Sequence, residues 1–260
     1  MALTFHQVDA FTDRPFAGNP AMVYRLDSWL PEARMQQIAA EHNLAETAFV
    51  VPEGEGWRIR WFTPQEEVPL CGHATLATAR VLFDVYQAPG DCLTLQCQSG
   101  ELRVRRLGER LELDFPALAG EPIEAPAGLA DALGQVPEAV LSGSDSLLVV
   151  LPDEAAVRNC APDLKALAAL PWMGVIVTAP GSRHDIVSRY FAPAIGIDED
   201  PVTGAAHCML VPYWAQRLGR DELRAFQCSQ RGGELHCRRV GERVRLAGHA
   251  VLVSRGELLA

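Results

Sequence analysis

The sequence predicts an α+β fold with two pseudo-symmetric domains, each a curled, mostly antiparallel sheet around a central buried helix. Three observations predict it: an internal repeat near half the chain length, two apolar helical segments after glycine turns, and alternating strands around two Gly-Glu dipeptides. With 260 residues and 48% apolar composition, the chain is long enough to bury a core without disulfides.

The internal repeat consists of three pairs of similar segments that occur in the same order. The pairs are 60–64 with 189–193, 69–75 with 201–207, and 100–113 with 233–246. The last pair is identical at nine of 14 positions. A repeat this long is not a solenoid unit, so it indicates two related domains that face each other.

The repeat places an N-terminal domain at 1–118 and a C-terminal domain at 119–260, with an active-site cleft between them. A last strand over 249–260 could return to the first domain. The stretch 116–134 is rich in Pro, Gly and Ala, as is typical of a connection between domains.

Each half has the same predicted order of elements. A strand with aromatic residues ends at a proline, a glycine turn opens an apolar helix, and a hairpin follows. Alternating apolar residues flank the hairpin tips at Gly108 and Gly241, which is the pattern of paired antiparallel strands. An ordinary surface helix is predicted over 31–43.

The two helices after the glycine turns lack a polar face. Residues 74–83 carry no charge before Arg80, and residues 205–215 carry none. A helix that is apolar on all sides is buried, so each is predicted to be the centre of its domain. Pro212 predicts a kink or an end within the second helix, and Gly219 predicts its final stop.

Charge and cysteine content exclude several classes of protein. The net charge is −10 and Lys165 is the one lysine, so the basic surface that nucleic acids require is missing. Seven cysteines without a Cys-x-x-Cys pair predict reduced thiols, a cytoplasmic location and no metal site. The first residues lack a secretion signal, and the apolar run Leu147–Leu151 is far too short for a membrane span.

The starts of the two buried helices predict a binding site for a small anion. The first N–H groups of a helix have no partner within it, and they attract negative charge. If pseudo-symmetry brings Gly72 and Gly204 together, the pair of helix starts would suit a carboxylate substrate. Glycines that only permit tight turns are the alternative.

Four segments also carry motifs of a known family. They are 8–21, 43–49, 70–75 and 199–205. In this order they resemble the PhzF-type phenazine-biosynthesis isomerases, which share the diaminopimelate-epimerase fold. The resemblance implies a proton transfer that shifts a double bond in a small carboxylate, with neither metal nor organic cofactor.

The resemblance implies that Glu46, in Ala-Glu-Thr, is the general acid/base. Its neighbours fit this role, because Leu44 and the apolar run 48–51 would bury the carboxyl group and raise its pKa towards neutrality. Such a group can both take and return a proton. An exposed glutamate at the start of a strand is the alternative.

Further site residues follow from the same resemblance. It places His73 and Asp200 beside Glu46 among the catalytic residues, with His73 in an assisting role against the substrate and Asp200 on a substrate amine or hydroxyl. It also places Asn19 in a pocket loop. Ala205 stands where some relatives carry Ser, so only its backbone N–H is left for an anion. The helix dipole predicts a neutral His73. Capping, helix charge and turn formation are the alternatives for these residues.

Cys71 suggests rival mechanisms. Epimerases of this fold use two opposed thiols, but Thr203 occupies the second position and is too weak an acid. A two-base epimerase or racemase is therefore the disfavoured alternative, and Cys71 is assigned to the substrate-binding residues as a small buried side chain. A Cys71/His73 hydrolase lacks an orienting acid. A non-catalytic carboxylate-binding protein is the remaining alternative, and a homodimer is the general expectation.

Overall fold

The computed structural model describes residues 2–259. Two compact units make up the chain, one comprising Met1–Asp114 with Ala247–Ala260 and the other Phe115–Leu246. Each unit combines one sheet, in which antiparallel pairs predominate, with a buried helix. This is the α+β fold that the sequence predicts.

The first unit contains most of its strands before its main helix. Its elements are β1 (Ala2–Ala10), β2 (Asn19–Arg25), α1 (Glu32–His42), β3 (Glu46–Glu53), β4 (Gly56–Phe62), β5 (Glu67–Val68), α2 (Gly72–Asp84), β6 (Cys92–Cys97), β7 (Gly100–Leu107), β8 (Arg110–Pro116) and β18 (Ala250–Leu259). Its strands lie in the order β18, β1, β2, β3, β4, β6, β7. Strand β8 forms the predicted hairpin with β7, which closes at Leu107 and Arg110.

Helix α2 is the centre of this unit and packs against β1, β2, β3 and β18. Nearly all of its side chains are buried, and most of them are small, so the strands can approach the helix closely. Two of the buried side chains are threonines. The Thr75 and Thr78 hydroxyls donate to the carbonyls of Cys71 and Ala74 one turn earlier, so burial leaves neither donor unsatisfied.

The second unit repeats this order with shorter outer helices. Its elements are β9 (Glu121–Pro122), α3 (Leu129–Leu133), β10 (Ala139–Ser142), β11 (Ser146–Val150), α4 (Glu154–Arg158), α5 (Leu164–Ala168), β12 (Gly174–Pro180), β13 (Ile186–Ala192), a 3-10 turn (Pro193–Ile195), β14 (Ile197–Asp200), α6 (Gly204–Leu218), β15 (Glu222–Gln227), β16 (Gly233–Val240) and β17 (Arg243–Gly248). Its pairing follows the order β9, β10, β11, β12, β13, β15, β16.

The two sheets have the same pairing pattern, which confirms the repeat. The pairs β1/β2, β3/β4 and β6/β7 are antiparallel, while β2/β3 and β4/β6 are parallel. In the second unit β10/β11, β12/β13 and β15/β16 are antiparallel, while β11/β12 and β13/β15 are parallel.

An equivalent arginine–glutamate salt bridge lies at the same position in both units. Arg60 on β4 donates through Nε to Glu67 on β5 at 2.7 Å, and Arg189 on β13 donates through Nε to Glu199 on β14 at 2.7 Å. Each guanidinium also lies over a phenylalanine two residues later on its own strand, at 5.2 Å and 4.8 Å from the ring centroid. The motif Arg-aromatic-Phe-x-Pro therefore forms the same arrangement in both halves. We call this arrangement, an arginine that pairs with a glutamate and lies over a phenylalanine ring, the structural clamp.

Helix α6 is the buried helix of the second unit and packs against β11, β15 and β16. Pro212 lies inside it without ending it, and Gly219 closes it in the left-handed conformation at φ 67°. The predicted stop at Gly219 is confirmed. Among residues 2–259, no helix combines the length and the apolar character that a bilayer crossing requires.

Candidate active site

Glu46 is the first residue of β3 and lies opposite Ala21 on the parallel strand β2. Its side chain is 14% exposed, so it is mostly buried rather than solvated. The apolar residues that follow it on β3 are buried, and they hold the strand in the core. Glu46 lies at the end of its strand that is near the start of α2, where its carboxylate meets the side chain of His73.

Cys71 and His73 come from the start of α2. Cys71 is the N-cap residue in an extended conformation, and Gly72 is the first helical residue. The His73 side chain is 6% exposed, and its Nε2 lies 3.1 Å from Oε2 of Glu46. On the other side of the ring, Nδ1 lies 3.5 Å from the Cys71 sulfur.

Asn19 completes the surroundings of the imidazole. It is the first residue of β2, is fully buried, and its amide Nδ2 lies 3.2 Å from His73 Nδ1. Four of the residues predicted for the site, Asn19, Glu46, Cys71 and His73, therefore adjoin one another in the first unit. We call Glu46, Cys71 and His73 the acid–base cluster.

The charge state of His73 differs from the one that the sequence predicts. Burial by itself disfavours the imidazolium, but the acidic neighbours Cys71 and Glu46 outweigh it and raise the pKa of His73 well above 6.5. The expectation of a neutral His73 is therefore wrong, because the acidic groups beside the ring, Cys71 and after it Glu46, raise its pKa.

The thiol of Cys71 has the opposite tendency. Desolvation by burial, and after it the charge of Glu46, raise the pKa of Cys71 above its ordinary value. His73 acts on the thiol in the opposite direction but does not outweigh these effects, so the thiol is harder to ionise than an ordinary cysteine. It is not an activated nucleophile or base.

The second unit has a polar network at the start of α6. Asp200 ends β14 and is 9% exposed, and its Oδ2 accepts a hydrogen bond from the hydroxyl of Thr203. Gln227, at the end of β15, donates through Nε2 to the carbonyl of Asp200 at 2.8 Å and to the Thr203 hydroxyl at 3.1 Å. Its Oε1 accepts from the backbone N–H of Thr203 at 2.9 Å.

The remaining predicted residues lie along the first turn of α6. Thr203 is its N-cap, Gly204 is its first residue and buried, and Ala205 is exposed. One turn later, His207 is fully buried, and its Nδ1 donates to the Thr203 carbonyl at 2.8 Å. Desolvation by burial lowers the pKa of His207 to about 4, so its ring is neutral.

Gln227 is a residue that sequence reasoning missed. Its strand alternates between buried and exposed positions, and Gln227 occupies a buried one, after Leu223 and Ala225. A glutamine at an apolar position of an alternating strand predicts a buried hydrogen-bonding role. This was the signal that could have found it.

Comparison with known proteins places these residues in a family. The family model described as "Phenazine biosynthesis-like protein" matches residues 8–256. An uncharacterized isomerase of Pseudomonas aeruginosa is 64% identical over 258 residues, which is 99% of each chain.

Solved structures give the same result. A crystal structure of a PhzF-family phenazine biosynthesis protein from Enterococcus faecalis has a TM-score of 0.98 and 48% identity, with 100% of both chains covered. A predicted epimerase from Pseudomonas aeruginosa has a TM-score of 0.76 and 27% identity, with 99% of both chains covered.

The full-length matches confirm the resemblance that the four motifs carry, and the relatives' names bear out the prediction of an isomerase. The likeness extends to an epimerase-like fold. This chain belongs to the PhzF-type phenazine biosynthesis-like family.

Proposed function

We propose that this protein is a cofactor-independent isomerase that shifts a double bond in a small carboxylate, with Glu46 as the group that carries the proton. One observation supports the proposal most strongly: the mostly buried Glu46 carboxylate lies 3.1 Å from Nε2 of His73. A carboxylate that faces an imidazolium in a site with little water can exchange protons with a bound molecule.

The proposed reaction leaves the composition of the substrate unchanged. Glu46 removes a proton from carbon, and the electron pair of that C–H bond moves into the adjacent double-bond system. Glu46 then returns the proton to a different carbon, so the double bond has shifted. The positive charge on His73 stabilises the anionic intermediate.

We assign the other residues to binding. Asn19 orients the His73 ring, and Gly72 and Cys71 line the substrate at the start of α2. In the second unit, the Asp200 carboxylate is proposed to accept a hydrogen bond from a substrate hydroxyl or amine. Gly204 and Ala205 would offer backbone N–H groups to the substrate carboxylate.

A two-base epimerase is the weaker candidate. It needs a second acid where Thr203 stands, and the Thr203 hydroxyl is already donating to Asp200. The first thiol position is also unsuited, because burial raises the pKa of Cys71. A single carboxylate is therefore the better candidate for the proton-carrying group.

Deuterium incorporation tests the proposal directly. A panel of small unsaturated and amino-acid carboxylates is incubated with the enzyme in D2O, and label on carbon is followed by proton NMR. Glu46→Gln should lower the incorporation by about 10² to 10⁴-fold, the range expected for losing a general acid/base. Glu53→Gln, at the exposed end of the same strand, is the matched control and should keep the wild-type rate.

Two outcomes would contradict the assignment. If Glu46→Gln incorporates deuterium at the wild-type rate, another group carries the proton. If Cys71→Ser abolishes incorporation while Glu46→Gln keeps most of it, the two-base epimerase is correct. Bound carboxylates without any label on carbon would indicate a binding protein instead.

A further inference from the structure

The acid–base cluster brings together three side chains that are also good ligands for a soft divalent metal ion. One ligand atom from each of Glu46, Cys71 and His73 lies within 4.8 Å of the other two. A thiolate, an imidazole and a carboxylate are the three ligand types that Zn²⁺ takes in proteins. Mg²⁺ and Ca²⁺ prefer sets made of oxygen alone, so the sulfur and nitrogen select against them.

We propose that the acid–base cluster is a Zn²⁺-binding site, and that Zn²⁺ bound there blocks the active site. The three side chains would supply three ligands of a tetrahedral ion, with a water molecule as the fourth. The inference goes beyond the proposed function, since the binding of a metal can be measured without a substrate.

The separations between the ligand atoms fit a small ion. In a tetrahedral Zn²⁺ site with ligands at about 2.0 to 2.3 Å, neighbouring ligand atoms lie about 3.5 Å apart. The Cys71 sulfur lies 3.5 Å from Nδ1 of His73, and Glu46 Oε2 lies 3.1 Å from Nε2. These two distances involve different nitrogens of the ring, and a metal binds one ring nitrogen at a time, so Cys71 or Glu46 must move before all three side chains can bind one ion.

Two buried atoms of the cluster have spare bonding capacity. Glu46 Oε2 and His73 Nε2 lie out of contact with water, and neither makes an aligned hydrogen bond within the described residues despite their short separation. Buried polar atoms in proteins are nearly always satisfied, so an unaligned pair of this kind is a candidate for binding a ligand. An ion between the two side chains would satisfy both.

Charge and access also favour the ion. A Cys71 thiolate and a Glu46 carboxylate together balance the two positive charges of Zn²⁺, and binding releases two protons to solvent, one from the thiol and one from the His73 imidazolium. The Cys71 side is closed, but the Glu46 side chain is 14% exposed. Solvent therefore reaches part of the Glu46 side chain, although its Oε2 atom is buried, and an ion would enter from that side.

The spacing of these three residues in the sequence does not form a recognisable metal-binding motif. Glu46 begins a strand and the other two ligands begin a helix 25 residues later, so no paired metal-binding motif exists. The sequence prediction of no metal site rests on that missing motif. It does not consider ligands that the fold brings together.

The first measurement is a titration of the reduced wild-type protein with Zn²⁺ against a chromophoric indicator. We expect one ion per chain. Cys71→Ser, His73→Gln and Glu46→Gln should each weaken binding by at least about tenfold, the lower end of what even an outer-shell partner contributes. Cys92→Ser is the matched control, because Cys92 is an exposed cysteine of the same unit, and it should bind as the wild type does.

A second measurement needs no ligand variant and so does not depend on how the variants fold. Cd²⁺ added to the wild type and to Cys92→Ser should give equal thiolate-to-metal charge-transfer absorption in the near ultraviolet. Absorption that disappears in Cys92→Ser, or a wild type without a bound ion, would overturn the proposal. Zn²⁺ binding that survives Cys71→Ser unchanged would overturn it as well.

The outcome is separable from that of the proposed function. Glu46→Gln could abolish deuterium incorporation while the wild type binds no Zn²⁺, which would leave the isomerase intact and remove the metal site. The reverse result would keep the metal site and remove Glu46 as the proton carrier.

Discussion

Replacing Gln227 by Leu tests whether the polar network at the start of α6 is a fixed structure. Leucine has nearly the same volume but neither donates nor accepts hydrogen bonds. The change removes the acceptor of the Thr203 N–H at 2.9 Å and the donor to the Asp200 carbonyl at 2.8 Å. It also removes the contact with the Thr203 hydroxyl at 3.1 Å.

The magnitude follows from these contacts. Two backbone groups lose their partners, and each unsatisfied buried group costs about 1 to 3 kcal/mol. Thr203 is only half-buried, so water compensates part of its loss. We therefore expect Gln227→Leu to lower the local free energy of opening by about 3 kcal/mol, in the lower half of the roughly 2 to 6 kcal/mol that two such groups allow.

Hydrogen exchange followed by mass spectrometry measures this quantity for β15 and the start of α6 separately from the first unit. Gln96→Leu is the control, because Gln96 is a half-buried strand glutamine whose hydrogen bond to Glu101 is exposed to solvent, and it should cost less than about 0.5 kcal/mol. If Gln227→Leu costs no more than the control, the network does not stabilise this end of the helix and our interpretation of Gln227 is wrong.

Two further predictions concern pH and the repeated ion pairs. Because burial lowers the pKa of His207 to about 4, the unfolded chain binds its proton first, and stability falls as pH drops from about 6.5 to 4. His207→Gln removes this group, so the variant should lose up to about 3 kcal/mol less free energy of unfolding than the wild type over that pH range. Urea titrations of both proteins at several pH values measure the difference. Equal pH dependence of the two free energies would contradict the prediction. Arg189→Met should lower the free energy of unfolding by about 3 kcal/mol, as expected when one partner of a mostly buried ion pair is removed, and Arg60→Met should lower it by less. The reason is that the Arg189 side chain is 14% exposed, against 24% for Arg60, and also donates to the Cys160 carbonyl. Thermal unfolding of both variants checks the order, and an equal or reversed order would refute the role of burial.

The fold was predictable from sequence because local signals and the repeat point to the same structure. The glycine turn before each buried helix, the hairpin tip at Gly108 and the helix stop at Gly219 all depend on nearby residues. Pro212 shows the limit of local reasoning. Packing on all sides keeps α6 continuous through a residue that lacks a backbone donor.

The sequence identifies residues that the fold brings together at the start of α2, but it does not predict their electrostatics. The motifs identify Glu46 and His73, but they do not show that the start of β3 lies beside the start of α2. The charge of His73 depends on that through-space contact, and so the helix dipole gave the wrong sign. Gln227 was missed for a similar reason, since its partners Asp200 and Thr203 lie more than 20 residues earlier.

Divergence between the two halves bears on the mechanism. The structural clamp is kept in both units, since Arg60 pairs with Glu67 as Arg189 pairs with Glu199. The helix starts differ, because Cys71 is the N-cap of α2 and Thr203 is the N-cap of α6.

The groups two residues beyond these caps differ as well, with His73 in the first unit and Ala205 in the second. Opposed two-base chemistry requires matched acids at equivalent positions, whereas proton transfer by one carboxylate requires an acid on one side only. Duplication has thus preserved the scaffold, while the paired thiol and imidazole occur at the helix start of one half only among the described residues. The asymmetry favours a single proton carrier over a pair.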